Sequence, residues 1–229
     1  MIFDEWKPLA EQGIAEAQYN LGLMYSRGEG ISRDDKEAVK WYRLAAEQGF
    51  AESQTNLGLM YGKGQGVEQD FKEAVKWYRI AADQGLAQAQ YNLAVMYGRG
   101  QGVTQNYQES LKWYRLSAEQ GYAQAQYNLG LIYGRGQGVK QDYQESLKWY
   151  RLSAEQGIAG AQSNLGLMYE KGQVVEQDYV EAHKWFNIAG MNGNEIGRRN
   201  ADIVEKKMTP GQIVFAVGLA REWMEKLSY

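Results

Sequence analysis

The side chains that most often carry catalysis or hold metals are scarce in this chain of 229 residues. It contains no cysteine, and His183 is its single histidine. Thiolate nucleophiles, disulfides and metal sites that need two imidazoles are therefore excluded. Because no partner lies at ligand spacing from His183, packing or solvent exposure explains it better than metal ligation or acid–base catalysis. We expect no metal, no cofactor and no enzymatic activity.

Glycine-rich segments recur along the chain and superficially suggest phosphate binding. One of them, residues 97–102, reads Tyr-Gly-Arg-Gly-Gln-Gly. A dinucleotide-binding loop must follow a β-strand, and a P-loop ends in Gly-Lys-Ser or Gly-Lys-Thr. Residues 62–64, Gly-Lys-Gly, lack that hydroxyl, and no strand is predicted before them. These segments are typical of turns at helix ends.

An asparagine recurs every 36 residues, beside a position that varies between Tyr, Thr and Ser. An unchanged residue serves something common to every copy, either packing or capture of a partner's backbone. Variation beside a fixed row is what a surface that selects side chains would show. The asparagine row is Asn20, Asn56, Asn92, Asn128 and Asn164, and the tyrosines of the variable row are Tyr19, Tyr91 and Tyr127.

A row of cations follows the same spacing and ends each predicted first helix. Cations at a helix C-terminus stabilise the helix dipole by about 0.3–1 kcal/mol each, which is a sufficient structural explanation. The row could also attract an acidic partner, although the whole chain is negatively charged. Its members are Arg27, Lys63, Arg99, Arg135 and Lys171.

These rows exist because the chain is a tandem repeat. A register of 36 residues holds without insertion from Ala15 to Asn194, and such a period indicates stacked supersecondary units. Residues 1–14 are predicted to be a capping half-repeat, and residues 195–229 are predicted to form capping helices. The five copies are residues 15–50, 51–86, 87–122, 123–158 and 159–194.

Each copy divides into two helices. In the first copy, Gly28 ends the first helix, and Asp34 with Glu37 has the spacing of a capping box at the start of the second. A glycine inside the first helix, such as Gly58, costs about 1 kcal/mol relative to alanine. We therefore expect it to pack closely against a small residue of the second helix, such as Ala81. The tryptophans of the second helices are predicted to fill the core between repeats.

The repeated motifs identify a family. They read Ala-x-[Ala/Ser]-Gln-x-Asn-Leu-Gly-x-x-Tyr, then [Lys/Arg]-Gly-x-Gly-[Val/Ile], then [Asp/Asn]-x-x-Glu-[Ala/Ser]-x-Lys-Trp-[Tyr/Phe]. This pattern resembles the Sel-one-like repeat family, which is related to tetratricopeptide repeats. The resemblance covers residues 15–194 and both flanks, and residues 207–210, Lys-Met-Thr-Pro, look like the usual ending of bacterial arrays. In the fifth copy, Val174 departs from the pattern by replacing a loop glycine.

The resemblance implies a fold and a role. The fold implied is all-α, a right-handed α/α solenoid superhelix whose first helices line a concave face. The role implied is protein–protein interaction, and by resemblance to tetratricopeptide clamps the asparagine row would bond the backbone of an extended peptide. Secreted relatives often carry a disulfide in each repeat, which this chain lacks.

Charge and hydropathy limit the partners and the location that we expect. A net charge of -3 and a pI near 5.4 give no global field for phosphate backbones, so nucleic-acid binding is not expected. No window approaches 18 uninterrupted apolar residues and no signal-peptide pattern is present, so membrane insertion is not expected. A cytoplasmic location is predicted, and the absence of cysteine fits a reducing compartment.

The sequence favours a non-enzymatic scaffold or adaptor that binds a peptide segment or partner helix on the concave face. An acidic partner would suit the cation row. Two alternatives stay open. One is a hydrolase of cell-wall or β-lactam substrates, as proposed for some cysteine-rich relatives, and the other is a self-associating spacer. A monomer is favoured.

Overall fold

The computed structural model describes residues 2–227, with side chains for residues 3–226. In this part of the chain every regular element is an α-helix, so the predicted all-α fold of two-helix repeats is confirmed. The helices fall into two compact units, Met1–Gln120 and Gly121–Tyr229. Met1 and residues 228–229 of the two predicted end segments lie outside the described residues.

Within each unit, the first and second helices of a repeat pack against each other, and the second helix packs against the next first helix of that unit. None of the helices in the described residues is long and apolar enough to cross a membrane. The first unit contains α1 (Ile2–Glu11), α2 (Ala15–Arg27), α3 (Asp35–Glu47), α4 (Ala51–Lys63), α5 (Phe71–Asp83), α6 (Ala87–Arg99) and α7 (Tyr107–Glu119). The second contains α8 (Ala123–Arg135), α9 (Tyr143–Glu155), α10 (Ala159–Lys171), α11 (Tyr179–Met191), α12 (Glu195–Glu205) and α13 (Pro210–Leu227).

The second helices begin at the predicted N-caps, but half of the predicted capping box is wrong. The Asp34 carboxylate accepts hydrogen bonds from the backbone N–H groups of Lys36 and Glu37, at 2.9 and 3.1 Å. The Glu37 carboxylate pairs instead with Lys40 at 3.2 Å. It is not needed at the cap, because the Asp34 N–H already donates to the Tyr25 carbonyl at the end of α2.

The glycines inside the first helices do not face small residues, which corrects that expectation. A Cβ on Gly58 would lie 2.8 Å from the ring of Tyr78 in α5, so the glycine makes room for an aromatic ring on the helix backbone. The small residues of the second helices pack elsewhere. The Ser117 hydroxyl, for example, donates to the Ala87 carbonyl in the first turn of α6, at 2.7 Å.

The tryptophans of the second helices lie between helices, as predicted, and lysine stems cover their rings. Trp41 packs against Ala10 of α1 and Leu21 of α2. Lys40 places its ammonium group 5.3 Å from the centre of the Trp41 ring. The same lysine–tryptophan pairing recurs in every copy, at 4.8–5.5 Å. A cation over an indole face adds a modest attraction while its stem covers apolar surface.

A buried row of glutamines, which was not predicted from the sequence, joins neighbouring repeats. Gln54 is 2% exposed. Its amide N–H donates to the Ala46 carbonyl at 3.0 Å, and its amide oxygen accepts from Gln84 at 2.7 Å. Gln18, Gln90 and Gln162 make the same pair of bonds. Each donates to the carbonyl 8 residues earlier and accepts from the side-chain amide 30 residues later. Each bonded amide therefore ties a first helix to the second helices on both sides of it.

Val174 occupies a left-handed backbone position that is glycine in the other copies. Its φ is 57°, and it is the one residue other than glycine with positive φ in the described part of the chain. This conformation costs an L-residue roughly 1–2 kcal/mol, and more for a β-branched side chain. The fifth repeat therefore carries local backbone strain.

Replacing Val174 with glycine is expected to stabilise the second unit by about 0.5–1 kcal/mol. Relief of strain exceeds the entropy that glycine adds to the unfolded chain, and the valine side chain is already 39% exposed. Thermal unfolding followed by circular dichroism measures the change. The matched control is Val175→Gly, one residue along, where φ is not positive and the substitution should destabilise. A lower midpoint for Val174→Gly would contradict the strain argument.

Ser53 buries a hydroxyl without a partner. The residue is fully buried, and its Oγ makes no hydrogen bond with residues that the structure describes. The other copies have alanine at this position, at Ala17, Ala89, Ala125 and Ala161. The other four copies therefore avoid burying a hydroxyl at this position.

Ser53→Ala is expected to raise stability by about 1 kcal/mol, because it removes the desolvation cost of an unsatisfied hydroxyl. Urea unfolding of the two proteins side by side tests this. Ala89→Ser, the reverse change one repeat later, should lower stability by a similar amount. If both variants shift stability in the same direction, the unsatisfied hydroxyl is not the cause.

Candidate functional site

The asparagine row lies half-buried on the first helices, at Asn20, Asn56, Asn92, Asn128 and Asn164. Two of its members reach tyrosines of the preceding repeat. Burial raises the pKa of Tyr42, and hydrogen bonds from Ser26 and Asn56 oppose the rise. Burial raises the pKa of Tyr150 to about 12, against hydrogen bonds from Ser146 and Asn164. The other three amides make no side-chain hydrogen bond with residues that the structure describes, so the row serves packing in part and keeps accessible polar atoms.

The side chains of the variable row beside the asparagines mostly pack against neighbouring residues and do not extend into solvent. Tyr19 is half-buried, with its ring centre 5.1 Å from that of Phe50. Burial is the main cause that raises the pKa of Tyr19, and the nearby Glu52 carboxylate adds to it. Tyr91 meets Tyr114 edge to face at 5.8 Å, and Tyr127 lies 6.2 Å from Tyr150. The equivalent residues Thr55 and Ser163 are buried.

The cation row is exposed, at the last residue of each first helix. The members are Arg27, Lys63, Arg99, Arg135 and Lys171. Each precedes a glycine in the left-handed conformation that ends the helix, as predicted for the first copy. Arg27 is 3.4 Å from Glu29, whereas Lys63 and Arg99 form no ion pair within the described residues.

Two grooves of the same construction lie one repeat apart in the first unit. We call them the Tyr42 groove, of about 390 Å³, and the Tyr78 groove, of about 410 Å³. Most residues of the first groove have a counterpart 36 positions later in the second, and Leu59 lines both. The matched pairs include Leu23 and Leu59, Arg27 and Lys63, Tyr42 and Tyr78, Asn56 and Asn92, and Met60 and Met96. The structure thus brings together members of the asparagine and cation rows.

Two pairs of polar side chains in the Tyr42 groove are bonded to each other. The Ser26 hydroxyl and the Tyr42 hydroxyl are hydrogen-bonded at 3.1 Å. The Arg33 guanidinium donates two hydrogen bonds to the Asp35 carboxylate, at 3.0 and 2.8 Å. The Tyr78 groove has Gly62 in place of Ser26 and Phe71 in place of Asp35. A comparison of the aligned copies could have flagged these differences, but not the hydrogen bonds that depend on them.

His183 is buried at the C-terminal end of the second unit, so packing, and not solvent exposure, describes its position. Its Nε2 lies 2.9 Å from a Glu205 carboxylate oxygen, and its Nδ1 lies 2.9 Å from the Asn187 amide nitrogen. Within residues 3–226, no group of three Asp, Glu or His side chains is placed to hold a metal ion. The histidine therefore holds α11 and α12 together.

A family model described as Sel1 repeat matches five segments of the chain, residues 15–50, 51–86, 87–122, 123–158 and 159–194. These segments make up most of the 229 residues. A search of the curated proteins found no match.

Solved structures resemble the chain along most of its length. One is a protective antigen present in uropathogenic Escherichia coli strains that displays an SLR fold, with a TM-score of 0.90 and 38% identity over 96% of this chain and 48% of that one. Another is a Sel1 repeat protein from Oxalobacter formigenes, with a TM-score of 0.79 and 36% identity over 85% of this chain and 56% of that one. The chain therefore spans about half the length of both. An immunity protein from Pseudomonas aeruginosa, at 23% identity, a TM-score of 0.55, and 91% of this chain and 81% of that one, shares the fold alone.

Proposed function

This chain belongs to the Sel1 repeat family, whose repeats generally mediate protein–protein interaction, and on that premise we propose that it is a non-enzymatic scaffold. It binds a peptide segment or partner helix along the face that the first helices form within a unit, with the asparagine row holding the ligand and the cation row favouring acidic partners. We call this surface the first-helix face.

The observation that carries the proposal is the repetition of one groove at the period of the sequence. Leu59 forms a wall shared by the Tyr42 and Tyr78 grooves. Each groove combines an apolar base, a half-buried asparagine and a cation at its rim. A surface with the same polar and apolar groups at regular steps suits an elongated ligand, which presents side chains at regular intervals.

A triple variant tests the proposal. Asn56→Ala, Asn92→Ala and Asn128→Ala together should leave helix content unchanged, because these side chains are half-buried, and should weaken partner binding at least tenfold. The partner is first obtained by crosslinking and pull-down from the native cell with the purified array as bait, and its affinity is then measured by calorimetry. Both fold and affinity surviving the triple change would overturn the role of the asparagine row.

The matched control places three alanines on the second helices, at Leu44, Ile80 and Leu116. These side chains are 37–38% exposed and belong to the other helix of each repeat. Their replacement should leave affinity unchanged. A loss of affinity there, with none in the asparagine variant, would move the interaction to the second-helix surface.

A further inference from the structure

We infer that the Tyr78 groove is a carboxylate site, which receives an Asp or Glu side chain of the partner. The inference rests on the proposed function and names the chemistry of the ligand at one place on the first-helix face. The Tyr42 groove is built on the same plan but lacks this capacity. Its tyrosine hydroxyl is already bonded to Ser26, and its two arginines already lie beside carboxylates of the chain.

The first support is a tyrosine hydroxyl that lines the groove and has no hydrogen-bond partner among the described residues. The Tyr78 side chain is 4% exposed as a whole. Its hydroxyl forms no hydrogen bond with a described residue and is not one of the enclosed unbonded atoms there, which are Trp41 Nε1, Ser53 Oγ and Trp113 Nε1, so it opens to the groove. The hydroxyl lies beside Gly62, 3.9 Å from where a Cβ on that glycine would be. The equivalent Tyr42 is bonded to Ser26. An O–H group that faces the groove without a protein acceptor is free to donate a hydrogen bond to an incoming ligand.

The second support is the charge of the groove. Lys63 and Arg99 both line it, neither has an ion-pair partner among the described residues, and no carboxylate lines the groove. In the Tyr42 groove, Asp35 neutralises Arg33 at 2.8 Å. Gln69 and Phe71 replace this ion pair in the Tyr78 groove. Arg27 of the first groove lies 3.4 Å from Glu29, and the residues that follow Lys63 and Arg99 at the same spacing are the neutral Gln65 and Gln101.

The third support is the balance of donors and acceptors. Lys63, Arg99 and the Tyr78 hydroxyl all offer N–H or O–H groups, and the half-buried Asn92 amide adds two more N–H groups. An ionised carboxylate only accepts hydrogen bonds, through two oxygens, so it matches this set. Leu59 and Met96 provide an apolar wall suited to the methylene groups of a glutamate or aspartate.

The experiment uses two pentapeptide probes, acetyl-Gly-Leu-Glu-Leu-Gly-amide and the same peptide with Gln in place of Glu. They differ only in having a carboxylate or a neutral amide at the central side chain. Binding to the full chain is followed by nuclear magnetic resonance at constant ionic strength, through the backbone signals of Lys63, Asn92 and Arg99. Inorganic phosphate serves as a third probe, to separate a carboxylate site from a general anion site.

Two variants remove the Tyr78 hydroxyl as a donor to the carboxylate, each in a different way. Tyr78→Phe deletes the hydroxyl. Gly62→Ser supplies the hydroxyl with the internal partner that Ser26 gives Tyr42, and a Cβ there meets only ordinary contacts of 3.7 and 3.9 Å. The control is Tyr42→Phe, which deletes the equivalent hydroxyl from the other groove.

We expect the Glu peptide to bind the wild-type chain roughly three to ten times more tightly than the Gln peptide. This preference should fall at least threefold in Tyr78→Phe and in Gly62→Ser, and stay unchanged in Tyr42→Phe. No preference for Glu, an equal preference in all variants, or tighter binding of phosphate than of the Glu peptide would each overturn the inference. The scaffold proposal is judged separately, by partner affinity of the triple asparagine variant, so either can fail alone.

Discussion

Gly58→Leu destabilises the first unit by about 3 kcal/mol, as we expect from the packing of Tyr78 on the backbone of α4. A Cβ at position 58 would lie 2.8 Å from two ring carbons of Tyr78 and 3.2 Å from the Ala74 carbonyl oxygen. The rest of a leucine side chain has no space to enter, so the ring and α5 must shift. Overpacking of this kind costs about 1–3 kcal/mol or more. Urea unfolding monitored by circular dichroism measures the loss.

The chain provides its own reference for this prediction. Ala94 occupies the equivalent position in the third copy, and there the Tyr91 and Tyr114 rings meet at 61°, against 43° for Tyr19 and Tyr42. A single methyl group is thus tolerated with a different arrangement of rings. Gly58→Ala should therefore be much milder than Gly58→Leu, since alanine also gains about 1 kcal/mol of helix propensity.

Glu52→Leu, at an exposed position of the same helix, controls for the added leucine. It should change stability little. If Gly58→Leu unfolds at the same urea concentration as the unchanged chain, the close contact with Tyr78 does not exist in solution.

Gln54→Ala should cost about 2–3 kcal/mol, the second largest effect that we expect. The substitution removes a buried amide that both donates to the Ala46 carbonyl and accepts from Gln84, and it leaves a cavity between α3, α4 and α5. The loss separates into two parts. Gln54→Met fills most of the volume without the hydrogen bonds, so the stability of this variant should lie between those of the unchanged chain and of Gln54→Ala.

Gln88→Ala is the control for the glutamine prediction, because Gln88 is exposed on α6. Its effect on the unfolding midpoint should be within about 0.5 kcal/mol. Equal effects at positions 54 and 88 would mean that the buried amide adds nothing to the junction between repeats.

Much of the fold follows from residues that act locally. The helix ends at Gly28 and Asp34 were predictable because left-handed glycines and N-cap side chains bond groups a few residues away in sequence. The period of 36 residues also located the asparagine and cation rows. Asn56 and Arg27 share one groove of the first unit, and Asn92 shares the other with Lys63 and Arg99.

The remainder depends on which side chain meets which across two helices. Gln54 was visible as an unchanged residue, but its partner Ala46 lies on α3 and its partner Gln84 caps the end of α5, at separations that no local rule specifies. Gly58 was correctly expected to allow close packing, yet the direction of the Tyr78 ring decides what it packs against. The chemistry of the Tyr78 groove depends on a hydroxyl without a partner among residues 3–226, which follows from the three-dimensional arrangement and not from the sequence pattern.

The glutamine bonds between repeats have a consequence for how the chain acquires its structure. Gln18 bonds Gln48, and Gln54 bonds Gln84, so each of these links spans 30 residues. Contacts that are short in sequence form quickly, because little chain must be brought together to make them. We expect the N-terminal repeats to become protected from proteases on the translating ribosome, before the C-terminal helices have been synthesised.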